Sequence, residues 1–115
     1  MTVRRLKTYS AASGQVYQYV LVGSAPAAVP GTAYRFEVSS GRRSLLAVTV
    51  IVPEPTRIAW ETGHGRSLGR NEQYALAKLR LLRGFDTVAT ITEEATWELQ
   101  PAEAEEFWDE LDADG

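Results

Sequence analysis

The sequence predicts an α+β domain in which an antiparallel meander of four or five strands carries one packed helix, followed by a short, acidic, amphipathic C-terminal helix. Two observations predict this class. Alternating and β-branched stretches separated by short turns fill the first half of the chain, whereas helical spacing of apolar residues begins only after Trp60. The short turns also favour antiparallel pairing, because parallel strands need long crossover connections.

A single domain accounts for the length of the chain. With 115 residues the protein can bury a hydrophobic core without the help of disulfide bonds. No internal repeat or low-complexity linker divides the sequence. We expect residues 1–100 to form one α+β domain, and residues 101–115 to form an acidic C-terminal helix and tail that is part of that domain or docked on it.

The predicted strands are separated by turn residues. Residues 15–23 form the clearest strand, because apolar side chains occupy both of its faces, as in the centre of a sheet. Pro53 and Pro55 end the strand before them, since proline cannot continue a hydrogen-bonded ladder. The full set of predicted strands is 3–10, 15–23, 33–40, 44–52 and a short one at 56–60.

The pattern changes to a helical one after a glycine-rich loop at residues 62–69. Residues 71–84 place leucine and alanine side chains on one stripe, and Gly84 stands where a glycine commonly ends a helix. Residues 87–92 are rich in threonine and valine and are interpreted as an edge strand. A continuing helix is the alternative, so the assignment of residues 86–99 stays open.

The positive and negative charges are separated along the chain. All twelve Lys and Arg residues lie at or before Arg83, and only four acidic residues precede Phe85, so this part carries a net charge of +8. Residues 86–115 contain eleven acidic residues and no basic one, which gives the whole chain its net charge of -3. Such asymmetry is typical of an interaction tail or of intramolecular pairing, and equally of a solvated acidic surface.

Composition excludes several classes of protein. The chain has no cysteine, so disulfide bonds, thiolate metal sites and cysteine nucleophiles are ruled out. The longest apolar stretch, at residues 45–53, is too short to cross a bilayer. We expect a cytoplasmic protein that does not bind membranes, since no secretory signal is recognisable, and we predict no cofactor and no metal.

The C-terminal helix has the most regular pattern in the sequence. Pro101 begins it at the first helical position, which proline favours, and Phe107, Trp108 and Leu111 share one narrow apolar face. An isolated helix of this length is marginal in water, so this face needs a partner surface. That surface belongs either to the basic body of the same chain or to another protein.

A second candidate is an anion-binding site around the glycine-rich loop. His64, Arg66 and Arg70 lie there beside Gly65 and Gly69, which allow a ligand to approach the backbone at the start of a helix. The lysine and hydroxyl residue that end a P-loop are missing, so the prediction is a generic anion site. The alternative is a flexible connector with two solvated arginines.

His64 is the only histidine and has an acid and a hydroxyl close by in sequence, at Glu61 and Ser67. Histidine is the usual general base near neutral pH, so a small enzyme centred on His64 is one hypothesis. Catalysis by such a set depends on geometry rather than on proximity along a loop. An exposed loop histidine is the alternative reading.

Aromatic and basic residues also alternate in the strand region. Tyr17 and Tyr19, together with Arg42 and Arg43, are candidate nucleic-acid contacts if the aromatic face of the sheet is exposed for base stacking. Otherwise the tyrosines belong to the core.

We therefore rank three functions. A non-catalytic protein-interaction or regulatory module comes first, with a protein partner preferred over nucleic acid. A nucleic-acid-binding domain whose basic body is masked by its acidic tail comes second, and the enzyme third. The oligomeric state is left open.

Overall fold

The computed structural model describes residues 6–40, 45–88, 91 and 93–114, and it confirms the α+β class. Five strands form one sheet, and three helices occur among the described residues. In chain order the elements are β1 (Lys7–Ser10), β2 (Val16–Pro26), β3 (Gly31–Ser39), β4 (Leu46–Pro53), α1 (Glu54–His64), α2 (Arg70–Thr87), β5 (Glu94–Glu98) and α3 (Pro101–Asp114).

The sheet has the strand order β1-β2-β3-β4-β5. The first four strands form the antiparallel meander that the sequence predicts. The last strand differs, because β5 runs parallel to β4 and places Trp97 opposite Val50. A parallel neighbour requires a long crossover, and α1 and α2 together supply it.

Helix α1 is the largest departure from the sequence-based prediction, which assigned a short strand to residues 56–60 and placed residues 62–64 in a loop. Pro55 lies in the first turn of α1. Backbone N–H groups in the first turn have no acceptor within the helix, so the N–H that proline lacks is not needed there. Thr56 and Trp60, one helical turn apart, are the buried residues of this helix. Both predictions are wrong, because burial of Thr56 and Trp60 on one helical face outweighs the local preference for a strand, and the helix continues to His64.

Helix α2 continues past Gly84, so the prediction that this glycine ends the helix is wrong. The C-terminal cap is Val88, whose N–H donates to the Gly84 carbonyl at 2.9 Å. Gly84 instead lies directly against the Trp97 indole. The edge strand predicted at residues 87–92 is also misplaced, because Thr87 ends α2 and the fifth strand is β5; residues 89, 90 and 92 lie outside the described residues.

The hydrophobic core lies between the helices and one face of the sheet. Phe85 of α2 stacks on Tyr17 of β2 with ring centroids 4.4 Å apart, and Tyr74 packs on Tyr34 and Phe36 of β3. Core residues from every layer are almost fully inaccessible to solvent, among them Phe36, Val48, Val50, Trp60, Leu76, Leu81, Phe85, Leu99 and Phe107. None of the described elements packs on the opposite face of the sheet.

Candidate functional site

Helix α3 is docked on the body of its own chain. Phe107 is 1% exposed and belongs to the core, while Trp108 and Leu111 are half-buried and pack against it. The guanidinium of Arg83 lies over the Phe107 ring at 4.9 Å from its centroid. The three residues of the predicted binding face thus come together, and they face α1 and α2 rather than solvent.

Charges of opposite sign also meet where α3 docks. Glu106 pairs with Arg83, and Glu103 lies 3.5 Å from the Nε atom of Arg80. These pairs join the acidic C-terminal segment to the basic helix α2, so part of the charge separation in the sequence is used within the chain. All four side chains keep some solvent contact, and such pairs contribute under about 1 kcal/mol each.

His64 lies at the end of α1 and is held there by long-range contacts. Its ring stacks on Trp60 with centroids 4.1 Å apart, and its Nε2 atom is 2.9 Å from a Glu105 carboxylate oxygen of α3. Trp108 packs edge-to-face with Trp60, with ring centroids 5.0 Å apart. The histidine therefore helps to join α1 to α3 and is not a free loop residue.

Arg66 joins the same aromatic cluster. Its guanidinium lies 4.9 Å from the Trp60 ring centroid and 5.4 Å from that of Trp108, and it donates two hydrogen bonds to Glu72. This ion pair, with a further bond from the Gly69 N–H, lowers the pKa of Glu72 to about 2. Arg66 is thus already paired with a carboxylate of its own chain, that of Glu72.

The acid and hydroxyl that lie near His64 in sequence do not assemble with it. One Glu61 oxygen accepts from the Leu68 N–H at 2.8 Å, and the other accepts from Arg57 at 2.7 Å. Among the described residues, neither Glu61 nor Ser67 forms a hydrogen bond with His64. The local acid, base and hydroxyl needed for the enzyme hypothesis are therefore not brought together.

The candidate nucleic-acid contacts are placed differently from one another. Tyr17 and Tyr19 are buried under α2, where the ring of Phe85 covers them. Their faces are thus occupied by the core and not open to bases. Arg42 and Arg43 lie outside the described residues.

Arg70 is separated from His64 and Arg66 and lines a different feature, which we call the polar cleft. This hollow of about 620 Å³ lies between the ends of β2 and β3 and the helices α1 and α2. Its principal polar side chains are Tyr34, Arg57, Glu61, Arg70 and Gln73. Arg57 was not a predicted site residue; the four-residue spacing from Arg57 to Glu61, typical of a helical ion pair, is the sequence signal that points to it.

A second hollow, of about 420 Å³, lies where β4 turns into α1, and we call it the apolar corner. Aliphatic and proline side chains form most of its lining, and two carboxylates also line it. The lining residues are Val29, Pro30, Pro53, Pro55 and Ile58, with Glu54 and Glu98. Pro55 and Ile58 are three residues apart in α1 and therefore lie on one side of the helix, which the predicted strand at residues 56–60 does not imply.

Comparisons of the chain with protein-family models, with curated proteins and with solved structures gave no match. Among the described residues, no helix has the length and apolar character needed to span a membrane. No group of three or more histidine or carboxylate side chains in that part of the chain is arranged to hold a metal ion.

Proposed function

We propose that this protein is a non-catalytic protein-interaction module whose docking surface is the apolar corner. The observation that carries the proposal is the exposure of Val29 and Ile58, each 46% accessible, around one hollow walled by prolines. Single exposed aliphatic residues are common on protein surfaces. Two that share a hollow with three prolines form a contiguous patch, and such patches are typical of docking surfaces.

The apolar corner replaces the α3 face as the proposed docking surface because Phe107 is already used. Exposing that residue to a partner removes it from the core, and burial of such a side chain contributes about 1.5–3 kcal/mol. The apolar corner is available without any such rearrangement. Helix α3 then has a supporting role, since Trp108 packs on Trp60 and so helps to hold α1 in place.

The partner that this surface fits is a polypeptide segment with an aliphatic side chain next to a lysine or arginine. Glu54 and Glu98 lie on the rim, both exposed, and neither carboxylate has an ion-pair partner among the described residues. An apolar surface that includes two acidic groups is complementary to a basic, aliphatic segment.

Synthetic peptides test the proposal directly. One set pairs leucine or isoleucine with lysine or arginine, and a matched set carries glutamate in place of each basic residue. Binding is followed by amide chemical-shift changes in the labelled protein. We expect the basic set alone to shift amides near Ile58, and this response to weaken as salt is raised, because salt screens exposed charges.

Two variants localise the binding. Ile58→Ser removes part of the apolar floor, and Val16→Ser removes a side chain of nearly equal exposure, 45%, at the opposite end of the sheet. We expect Ile58→Ser to abolish peptide binding and Val16→Ser to leave it intact, with both proteins folded. Equal binding of the acidic and basic peptides at the apolar corner, or an unchanged affinity there in Ile58→Ser, contradicts the proposal. Self-association through the apolar corner, seen as a concentration-dependent molar mass, contradicts it as well.

A further inference from the structure

The polar cleft is a second candidate site, formed by other residues and independent of the proposed docking surface. Among the described residues that line it are two guanidinium groups, those of Arg57 and Arg70, and one carboxylate, that of Glu61. Arg70 is exposed and forms no ion pair or hydrogen bond among the described residues. The cleft therefore has a local charge excess of +1 in a chain whose net charge is -3.

The carboxylate of Glu61 is already engaged within the chain. Both oxygens of Glu61 accept hydrogen bonds, one from the Leu68 N–H and one from Arg57. These bonds lower the pKa of Glu61, with the Leu68 N–H as the largest cause, so this group stays ionised. Arg57 uses one terminal nitrogen for this pair, which leaves its other N–H groups for a ligand.

A neutral hydrogen-bond donor lies beside the two cations. Tyr34 is 4% exposed, and its hydroxyl oxygen accepts from the Gln73 side-chain amide at 3.0 Å. Its own proton has no acceptor among the described residues. Burial raises the pKa of Tyr34 against the opposing effects of Gln73 and Arg70, so the phenol keeps that proton near neutral pH.

We propose that the polar cleft binds an organic monocarboxylate, with the guanidinium of Arg70 and the hydroxyl of Tyr34 as its principal donors. A monoanion matches the charge excess of the cleft, whereas a dianionic phosphate meets repulsion from Glu61. Planar guanidinium groups suit the two oxygens of a carboxylate. The volume of about 620 Å³ leaves room for the organic part of such a ligand and lies in the usual range of small-molecule sites.

Matched acids and amides test the charge requirement. The probes are lactate with lactamide, benzoate with benzamide, and inorganic phosphate as the dianion. A short peptide, prepared with a free or an amidated C-terminus, distinguishes a polypeptide end from a free acid as the source of the carboxylate. The readout is the side-chain amide signal of Gln73 in titrations followed by NMR. We expect saturable shifts with at least one acid or with the free peptide terminus, and none with any amide.

Variants assign the binding to the cleft. Arg70→Gln removes the unpaired cation, and we expect roughly a tenfold loss of affinity, the size of one charge-assisted hydrogen bond. Tyr34→Phe removes the neutral donor and is expected to weaken binding less. Arg35→Gln is the matched control, because Arg35 is exposed and its side chain lies on the opposite face of the sheet. The Arg35→Gln variant is expected to bind carboxylates with the same affinity as the unchanged protein.

Five results overturn the proposal. They are no saturable shift with any acid or with the free peptide terminus, amides that bind as well as acids, phosphate that binds more tightly than every carboxylate, an unchanged affinity in Arg70→Gln, and an equal loss in Arg35→Gln. Ile58→Ser serves to separate the two proposals. We expect this variant to lose peptide binding at the apolar corner and to bind carboxylates in the polar cleft with unchanged affinity.

Discussion

Gly84 of α2 lies so close to Trp97 of β5 that a Cβ atom at this position would be 2.1 Å from the Trp97 Cζ3 atom. Real Cβ atoms do not approach other atoms this closely, so the glycine is required by packing. It allows α2 to lie directly on the parallel edge strand. This contact also explains why a residue that commonly ends helices lies within one.

The first prediction follows from that contact. Gly84→Ala is expected to lower the free energy of unfolding by about 1–3 kcal/mol, because the displaced indole costs more than the improved helix propensity returns. Gly63→Ala, also within a helix but with no atom near its added Cβ, is the control and is expected to be neutral or slightly stabilising. Urea denaturation measures both. A Gly84→Ala protein as stable as the control contradicts the close packing of α2 on β5.

The second prediction concerns acid stability and the Arg66–Glu72 ion pair. Folding lowers the pKa of Glu72 from 4.5 to about 2. The pair therefore stabilises the fold fully above pH 4.5, and its contribution is lost as the pH falls from 4.5 toward 2. Glu72→Gln keeps an acceptor for the Gly69 N–H but removes the charge, so we expect stability to depend less on pH across this interval.

Denaturation curves recorded across the same pH interval measure this effect. Asp109→Asn, which neutralises an exposed carboxylate of α3, is the control and is expected to keep the original pH dependence. A pH dependence in Glu72→Gln equal to that of the unchanged protein contradicts the prediction.

The third prediction distinguishes packing from charge in the docking of α3. Phe107→Ala removes a core side chain and is expected to cost about 3–5 kcal/mol of stability. Glu106→Gln breaks the exposed pair with Arg83 and is expected to cost under about 1 kcal/mol. Thermal or chemical unfolding measures both variants. If Phe107→Ala has the smaller effect, helix α3 is not held by the core contact described above.

The fourth prediction concerns the anchor of α1. The buried Thr56 hydroxyl donates to the Leu99 carbonyl at 2.8 Å, joining α1 to the segment between β5 and α3. Thr56→Val keeps the shape but leaves that carbonyl unpaired, so we expect a loss of about 1–3 kcal/mol. Thr56→Ser retains the donor and is expected to cost less. Urea denaturation measures both variants, and we expect a higher unfolding midpoint for Thr56→Ser than for Thr56→Val. The reverse order contradicts this role for the hydroxyl.

The sequence predicts the class of fold because its strongest signals are local. The alternation in residues 15–23, the stop at Pro53 and the helix start at Pro101 depend only on neighbouring residues, and all three agree with the structure. Helix α1 was missed because β-branched and aromatic residues from Thr56 to Trp60 favour a strand by composition. Burial of Thr56 and Trp60 together is a tertiary effect that overrides that preference.

The candidate sites were less predictable, because each depends on partners far away in sequence. His64 and Arg70 are six positions apart, yet one contacts Glu105 of α3 and the other lines the polar cleft together with Tyr34 of β3. Proximity along the loop suggested one anion site, whereas the fold directs the two side chains to separate surfaces. The apolar corner likewise requires the β4–α1 junction, which local propensity did not predict.

The parallel pairing of β5 with β4 has a consequence for biosynthesis. As the polypeptide leaves the ribosome, the four-stranded meander can assemble early, but β4 receives its second neighbour only when residues 94–98 emerge. Until then its backbone donors and acceptors form an open template that other nascent chains can join. This edge of the meander is therefore expected to need chaperone protection until residues 94–98 have emerged and paired with β4.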